Sequence, residues 1–227
     1  MLIVLEGLDG AGKSTQVKML REYLESRCNS LEYIHFPRYD APVYGSLISR
    51  FLRGEFGAID AVHPQLVALI FAEDRHGAAP QMKKALEEGK TILLDRYVYS
   101  NIAYQCSKLP EGEERAALRN WIFETEYGPF GLPKPDLNLY LDVPISFVEK
   151  NLTEARSGED RSYLAGSKDI HEGSIAFQKT VRSMYLSEVE RDPSFIRVDC
   201  SAADGSMLPP DKIFSRLRAA VDPYLKQ

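Results

Sequence analysis

The sequence has few cysteines, no excess of basic residues and no long apolar run. Its three cysteines, Cys28, Cys106 and Cys200, are far apart and in no metal-binding spacing, which is typical of free thiols in a reducing compartment. The formal net charge is −5, and the basic residues are scattered along the chain. We therefore expect no nucleic-acid partner, because a nucleic-acid-binding surface favours a basic stripe, and any anion site should be local.

The hydrophobic pattern favours a soluble protein. No stretch approaches the roughly 18 apolar residues that a membrane span requires, so no membrane partner is expected. The first apolar segment begins at residue 2 and leaves no room for a signal peptide, which predicts a cytoplasmic protein. The length of 227 residues supports one substantial core, and we expect a single domain over residues 1–227.

Residues 2–15, LIVLEGLDGAGKST, are the most informative stretch. An apolar segment typical of a buried strand leads into the G-x-x-x-x-G-K-S spacing of a phosphate-binding P-loop. In such a loop backbone N–H groups surround the phosphates of a nucleotide, the lysine adds a point charge and the serine offers magnesium a hydroxyl. An ordinary glycine-rich turn between a strand and a helix is the alternative. The predicted phosphate-binding residues are Gly7, Gly10, Ala11, Gly12, Lys13, Ser14 and Thr15.

A second apolar segment, residues 91–94, ends at Asp95 and Arg96. An aspartate after a buried strand is typical of a Walker B residue, which orders magnesium near the P-loop hydroxyl, although many such aspartates are only helix caps. Ser14 and Asp95 are therefore the predicted metal residues. The planar guanidinium of Arg96 can donate two parallel hydrogen bonds to a phosphate.

Further aromatic and polar residues follow predicted strands or share a helical face. Phe36, Arg38 and Tyr39 follow the predicted strand 31–36, where Pro37 restricts the backbone. Phe71 and Arg75 are four residues apart in a predicted helix, residues 63–79, and could stack on a planar base and hydrogen-bond its edge. The alternatives are core packing for Phe71 and a solvated position for Arg75. Ser100, Asn101, Tyr104 and Gln105 begin a later helical segment that faces the same sheet edge.

Strands alternate with helices along the whole chain, which predicts an α/β fold. We expect a parallel sheet of about five strands with helices on both faces, because parallel crossovers need a covering element. The P-loop, Asp95 and residues 36–39 should then meet at one edge of the sheet. A polar, glycine-containing segment at about 156–169 predicts a mobile lid whose arginines close over phosphates; a solvated linker between helices is the alternative.

Together these motifs resemble the thymidylate kinase family, whose members are P-loop nucleoside monophosphate kinases with the P-loop NTPase fold. The resemblance implies that the γ-phosphoryl group of ATP is transferred to dTMP, giving dTDP and ADP in dTTP biosynthesis, with magnesium and in a homodimer. It also implies a cis peptide bond before Pro37. The matching motifs span most of the first 140 residues and follow one another in the same order as in the family. They are residues 6–9, 12–15, 36–39, 71–75, 95–97, 100–101, 104 and 131–136.

The resemblance implies a role for each matching residue. Asp9 faces the acceptor's 3′-hydroxyl, Phe71 stacks on thymine, Arg75 and Asn101 reach the base edge, and Tyr104 lies under the deoxyribose. Arg96, with Tyr39 and Arg38, holds the acceptor phosphate. The implied dTMP-binding residues are Asp9, Phe36, Arg38, Tyr39, Phe71, Arg75, Arg96, Ser100, Asn101 and Tyr104.

Catalysis in this family depends on positive charge around the two phosphate chains. Some members carry a basic residue inside the P-loop, whereas this chain has Gly10 and Ala11. The resemblance therefore implies that the lid supplies the missing charge, with Lys168 a weaker candidate than the lid arginines. Asp169 and Glu172 resemble acidic residues that orient those arginines, whereas His171 is expected to be a bystander. The implied catalytic residues are Lys13, Arg96, Asp9, Arg156 and Arg161.

Two other functions are compatible with a P-loop. The chain could be a different monophosphate or deoxynucleoside kinase, or a nucleotide-binding switch without phosphoryl transfer. The residue set at Phe71, Arg75, Asn101 and Tyr104 favours a thymine deoxynucleotide, and a switch does not need a second nucleotide pocket.

Replacement of Lys13 by alanine should lower the phosphoryl-transfer rate by about 100-fold or more, because the lost charge faces the transferred group. The rate of ADP release at saturating nucleotide measures this effect, with unfolding temperatures recorded for both proteins. Full activity in Lys13→Ala would show that the P-loop prediction is wrong.

Overall fold

A five-stranded parallel sheet lies at the centre of the structure, a computed structural model that describes residues 1–153, 163–164, 166–167 and 169–225. The strand order is β2-β3-β1-β4-β5, which confirms the predicted parallel α/β fold. The strands are β1 (Leu2–Gly7), β2 (Leu31–His35), β3 (Thr91–Asp95), β4 (Leu137–Asp142) and β5 (Phe195–Asp199).

The three inner strands, β1, β3 and β4, are buried at every residue. Helices pack around the sheet in two groups: α1 and α8 contact each other, whereas α3, α4, α5 and α7 form the other group. Coverage from both sides explains why the inner strands are continuous apolar runs rather than alternating ones. The helices are α1 (Lys13–Arg27), α2 (Tyr44–Leu52), α3 (Pro64–Glu87), α4 (Val98–Cys106), α5 (Glu113–Tyr127), α6 (Ile145–Thr153), α7 (Ile175–Arg191) and α8 (Pro210–Val221).

Several helix boundaries differ from the pattern in the sequence. Helix α1 begins directly at Lys13, because Gly12 with φ 73° turns the chain from the loop into the helix. Helix α3 continues through Pro80, although proline removes one backbone hydrogen bond, because buried residues on both sides of it pack into the core. Helix α7 begins at Ile175, because the side chain of Ser174 accepts a hydrogen bond from the backbone of Phe177 and caps the helix.

The sheet register brings the predicted site together. In the parallel pairs, Leu5 lies opposite Asp95 and Asp95 lies opposite His35. The P-loop after β1, Arg96 after β3 and Phe36 after β2 therefore meet at the carboxyl edge of the sheet, where α/β proteins bind ligands. Among the helices that the structure describes, none is long and apolar enough to span a membrane.

Substitution of Leu139 by alanine should lower the free energy of unfolding by about 2–5 kcal/mol, because Leu139 is fully buried in β4 and its loss leaves a cavity. Leu66→Ala is the control, since Leu66 is 57% exposed and its truncation should cost less than about 0.5 kcal/mol. Chemical denaturation measures both values, and equal losses would contradict the assignment of β4 to the core.

Candidate active site

The P-loop joins β1 to α1 through two glycines in the left-handed region. Gly10 and Gly12 have φ values of 74° and 73°, which a residue with a side chain adopts only with strain. The Asn151 side chain donates a hydrogen bond to the carbonyl oxygen of Gly10 at 2.7 Å and thereby ties the loop to α6. Ser14 and Thr15 are exposed in the first turn of α1. The N-terminus of this helix is therefore available to an anion.

Lys13 forms an ion pair with Asp95 at the end of β3. The other carboxylate oxygen of Asp95 lies 3.0 Å from Nδ1 of His35. Burial alone would raise the pKa of Asp95, but the charges and hydrogen bonds of Lys13 and His35 hold it well below its ordinary value. Asp95 is therefore an ionised carboxylate. The sequence analysis missed His35, whose only signal is its place at the end of a predicted strand.

Ser14 and Asp95 fit the chemistry of a magnesium ion. Both line the same open groove beside Lys13, and a hydroxyl and an ionised carboxylate are the hard oxygen ligands that magnesium prefers. Within the described ranges, no group of three or more His, Cys, Asp or Glu residues could hold a metal ion by itself. Magnesium sites in kinases need no such group, because one or two protein oxygens act together with substrate phosphates and water.

Arg96 connects the ends of β1 and β3. Its guanidinium donates hydrogen bonds to the carbonyl oxygen of Gly7 at 2.8 Å, to Asp9 at 2.6 Å and to the Ser100 hydroxyl at 3.2 Å. The backbone of Arg96 has φ 69°, a strained value for a residue with a side chain that costs about 1–3 kcal/mol. The surrounding hydrogen bonds hold this conformation, so the arginine is fixed before any phosphate binds.

Asp9 lies beside Arg96 on the P-loop. Its carboxylate also accepts a hydrogen bond from Gln178 at 3.3 Å, and its backbone N–H donates to the Tyr104 hydroxyl at 3.2 Å. Burial alone would raise the pKa of Asp9, whereas Arg96 and His171 hold it below its ordinary value. A carboxylate and a guanidinium therefore stand side by side where the P-loop meets the start of α4.

Glu6, at the end of β1, organises the start of α4. This fully buried carboxyl accepts hydrogen bonds from the backbone N–H of Tyr97 at 2.9 Å, from the backbone and hydroxyl of Ser100, and from the Tyr185 hydroxyl at 3.0 Å. An acidic group at a helix N-terminus satisfies free N–H groups. Burial raises the pKa of Glu6 despite these donors. Glu6 belongs to the motif at residues 6–9 that supports the family resemblance, but no role was predicted for it.

A cleft with about 530 Å³ of empty space, including its open mouth, lies next to Arg96. The predicted dTMP-binding residues line it, apart from Arg38. The structure therefore brings the others together, and their individual roles stay predictions. Gln105, Tyr163, Asp169 and His171 also line the cleft, although none of them was in the predicted set.

One end of the cleft contains a buried ion pair between Arg75 on α3 and Glu126 on α5. The guanidinium donates two hydrogen bonds to Glu126, at 2.5 and 2.7 Å, and both side chains are almost completely buried. Asn101 donates to Glu126 at 2.9 Å and to the carbonyl oxygen of Ala68 at 3.0 Å. Glu126 was missed because it lies 51 residues from Arg75 and no local pattern marks it.

Two side-chain amide oxygens at this end lack a partner. Among the described residues, nothing donates a hydrogen bond to the buried Oδ1 of Asn101 or the buried Oε1 of Gln105. Buried acceptors without partners are uncommon in folded proteins, and each calls for an explanation. With Arg75 they offer a ligand both hydrogen-bond acceptors and a guanidinium, which matches the edge of a base that carries N–H and carbonyl groups.

Arg38 is not part of the cleft. Its backbone N–H and Nε each donate to the carboxylate of Asp74 at 2.9 Å, and Nη2 donates to the Asp74 carbonyl oxygen. The guanidinium is therefore bound to α3, where it fixes the corner after β2, and its contact with an acceptor phosphate stays a prediction. In the same corner the Phe36–Pro37 peptide bond is cis, as the family resemblance implies.

Three basic residues of the predicted lid, Arg156, Arg161 and Lys168, lie outside the described residues. Their proposed contacts with phosphates stay predictions. The same holds for the idea that they replace the charge missing at Gly10 and Ala11.

The last residue of the predicted lid, Asp169, and the residues that follow it contribute to the cleft. Asp169 accepts a hydrogen bond from the backbone of His171 at 2.8 Å, and burial, together with the neighbouring Asp9, raises the pKa of Asp169 to about 7. The His171 ring is 5% exposed and lies 5.1 Å from the ring of Tyr104. His171 therefore forms part of the cleft wall, and the expectation that it takes no part in catalysis stays a prediction.

The fold and the site define a P-loop kinase, because a phosphate loop, an ionised aspartate on the neighbouring strand and a separate acceptor cleft meet at one sheet edge. The profile of the thymidylate kinase family matches residues 5–204. The chain therefore belongs to the thymidylate kinase family, and it is a kinase.

Individual relatives agree with this assignment. Thymidylate kinase of Mycobacterium tuberculosis is 32% identical over 186 residues, which cover 82% of this chain and 84% of the relative. A probable thymidylate kinase of Thermococcus kodakarensis is 35% identical over 198 residues, covering 85% and 86%. The solved structure of thymidylate kinase from Candida albicans, a protein described as having broad substrate specificity, matches with a TM-score of 0.71 and 27% identity, over 98% of this chain and 91% of that one.

Replacement of Glu126 by alanine should lower the free energy of unfolding by about 3–5 kcal/mol, because Arg75 would keep a buried charge without its partner. The same variant should raise the KM for dTMP at least tenfold, since Arg75 and Asn101 lose their common anchor. Denaturant unfolding and steady-state kinetics measure the two effects. Glu124→Ala, an exposed change on the same helix, is the matched control. A Glu126 variant indistinguishable from this control would contradict the assigned pairing.

Proposed function

We propose that this chain transfers the γ-phosphoryl group of ATP to dTMP, giving dTDP and ADP on the route to dTTP. The observation that carries the proposal is the cleft beside the P-loop, which has the Arg75–Glu126 pair at one end and the Arg96–Asp9 pair near the phosphate loop. A nucleoside monophosphate has a matching polarity, with a hydrogen-bonding base at one end and an anionic phosphate at the other.

The base end of the cleft supports thymine as the base. Thymine presents one N–H between two carbonyl groups, so Arg75 can donate to a carbonyl oxygen while Asn101 accepts from the N–H. The ring nitrogen of cytosine at this position is an acceptor, which would leave the buried oxygen of Asn101 without a donor. A site that loses a buried hydrogen bond in this way rejects the wrong ligand strongly. Phe71 lines the same cleft and is proposed to stack on the base.

The chemistry requires charge neutralisation rather than a general base. A phosphate monoester has a second pKa of about 6, so the acceptor oxygen is largely deprotonated at neutral pH. The protein must instead bring two anions together in line. Arg96 is already fixed for this purpose, and Lys13 can exchange its contact with Asp95 for a contact with the phosphates of ATP.

We propose that Ser14 and Asp95 hold a magnesium ion together with the phosphates of ATP. Asp95 becomes available when Lys13 leaves it, since the two residues are paired in the structure. When bound, the ion supplies positive charge against the phosphate oxygens. Arg156 and Arg161, which lie outside the described residues, are proposed to provide the remaining charge.

The remaining parts of the proposal rest on the family and on composition. The family resemblance and the sequence support a single catalytic domain over residues 1–227, a homodimer and a cytoplasmic location. The net charge of −5 argues against a nucleic-acid partner.

The proposal is tested by ADP release with ATP, magnesium and each pyrimidine monophosphate in turn. We expect dTMP to exceed dCMP in kcat/KM by roughly 100-fold or more, since dCMP leaves buried groups unpaired. Arg75→Ala should remove most of this preference, whereas Arg191→Ala, an exposed change on α7, should keep it. A preference for another monophosphate would overturn the acceptor assignment. Turnover of no monophosphate would favour a nucleotide-binding switch.

A further inference from the structure

Tyr39 and Tyr163 form a parallel stack at the wall of the cleft. Their ring centroids are 3.9 Å apart and their planes differ by 9°. Tyr39 follows β2 and belongs to the predicted acceptor residues, whereas Tyr163 comes from the segment between α6 and α7 and carries no assigned role. Both residues line the cleft. The stack therefore connects two parts of the chain that are far apart in sequence.

Contacts with the end of α2 and with Asp169 hold Tyr163 in place. The Tyr163 hydroxyl donates a hydrogen bond to Asp169 at 2.6 Å, and its carbonyl oxygen accepts one from Arg53 at 2.8 Å. A third bond fixes the same segment, because the Ile170 N–H donates to the carbonyl oxygen of Leu52 at 2.9 Å. Tyr163 is thus held at both ends, because its backbone carbonyl oxygen binds Arg53 and its hydroxyl binds Asp169.

Among the described residues, Tyr163 makes the closest ring contact with Tyr39, which also packs against the apolar cluster of Ile48, Phe51, Leu52 and Val67. The ring of Tyr39 also contacts the ring of His35, with ring centroids 6.3 Å apart and ring planes tilted by 42°. A centroid distance of 6.3 Å is near the outer limit for aromatic pairs, whereas 3.9 Å with nearly parallel planes is a full-contact stack. Tyr163 therefore limits the rotamers that Tyr39 can adopt, and a side chain held in place in advance loses less freedom when a ligand binds.

We propose that Tyr163 is a positioning residue for the acceptor nucleotide. It acts through Tyr39, holding that ring in the cleft where the acceptor binds, while the bond from its hydroxyl to Asp169 orients its own ring. The proposal rests on the proposed function only for the identity of the acceptor. Tyr163 lines the acceptor cleft but not the groove beside Lys13 and Ser14, whereas Tyr39 lines both, so acceptor binding should depend on Tyr163 more strongly than ATP binding does.

A double-mutant cycle tests the proposal on the full chain. The variants are Tyr163→Leu, which removes the aromatic ring but keeps bulk, Tyr39→Leu and the double variant. Calorimetric titration with dTMP gives Kd without turnover, and steady-state kinetics gives KM for ATP. Tyr163→Leu should raise the Kd for dTMP by about 3- to 10-fold and raise the KM for ATP by a clearly smaller factor. In the Tyr39→Leu background the second substitution should add no further loss, because its target is already gone.

Two additional variants separate positioning from a general structural effect. Tyr163→Phe keeps the stacked ring and should recover most of the lost affinity. Tyr23→Leu removes a tyrosine that packs against Phe214 on α8, away from the cleft, and should leave the Kd for dTMP unchanged even where it lowers stability. Additive losses in the cycle, an equal rise in the KM for ATP, or a Tyr163→Phe protein as impaired as Tyr163→Leu would each overturn the proposal.

The result also distinguishes this inference from the proposed function. If the wild-type enzyme binds another monophosphate better than dTMP, the cycle is measured with that nucleotide and the same coupling is expected. If the wild type binds a monophosphate and Tyr163→Leu binds it equally well, only the role of Tyr163 is rejected. If the wild type binds no monophosphate, both the function and this inference are rejected.

Discussion

The site depends on one buried cation that bridges two strand ends. Arg96 donates hydrogen bonds to the carbonyl oxygen of Gly7 on β1, to Asp9 in the P-loop and to Ser100 at the start of α4. A charge with so little exposure to water is stable only with several partners, since the Arg96 side chain is 13% exposed, and the same contacts hold the strained backbone at φ 69°. The phosphate loop, the strand end and the cleft wall therefore keep one relative arrangement.

Two other functional cations are also held in place by carboxylates. Lys13 pairs with Asp95, and Arg75 pairs with Glu126, so each of these two cations already has an internal carboxylate. Such pairs keep the side chains charged and in place before substrate arrives, which is the condition for electrostatic preorganisation. The two pairs differ in what happens when substrate binds. Lys13 must leave Asp95 to contact the substrate, whereas Arg75 can stay paired with Glu126 and donate its remaining N–H groups to the substrate.

Local patterns in the sequence predicted the elements that short motifs encode. The P-loop, the strand that ends at Asp95 and the alternation of strands and helices each depend on neighbouring residues, and all are present in the structure. The pairing partners could not be predicted, because Glu126, His35 and Asp74 reach their targets through tertiary packing and no local pattern indicates which side chain each of them contacts. Arg38 shows the consequence: its motif implied a phosphate ligand, whereas Asp74 holds its guanidinium.

The sequence by itself determined the class of the fold, the phosphate loop and the side chains available for a second nucleotide, since these follow from residue periodicity and from motifs of a few adjacent positions. Only the tertiary structure decided which of those side chains face one cleft and which are bound elsewhere. It also brought Tyr163 and His171 into the cleft wall. The physical reason is that burial and charge pairing depend on distances in space, which strand register and helix packing set between residues far apart in the chain.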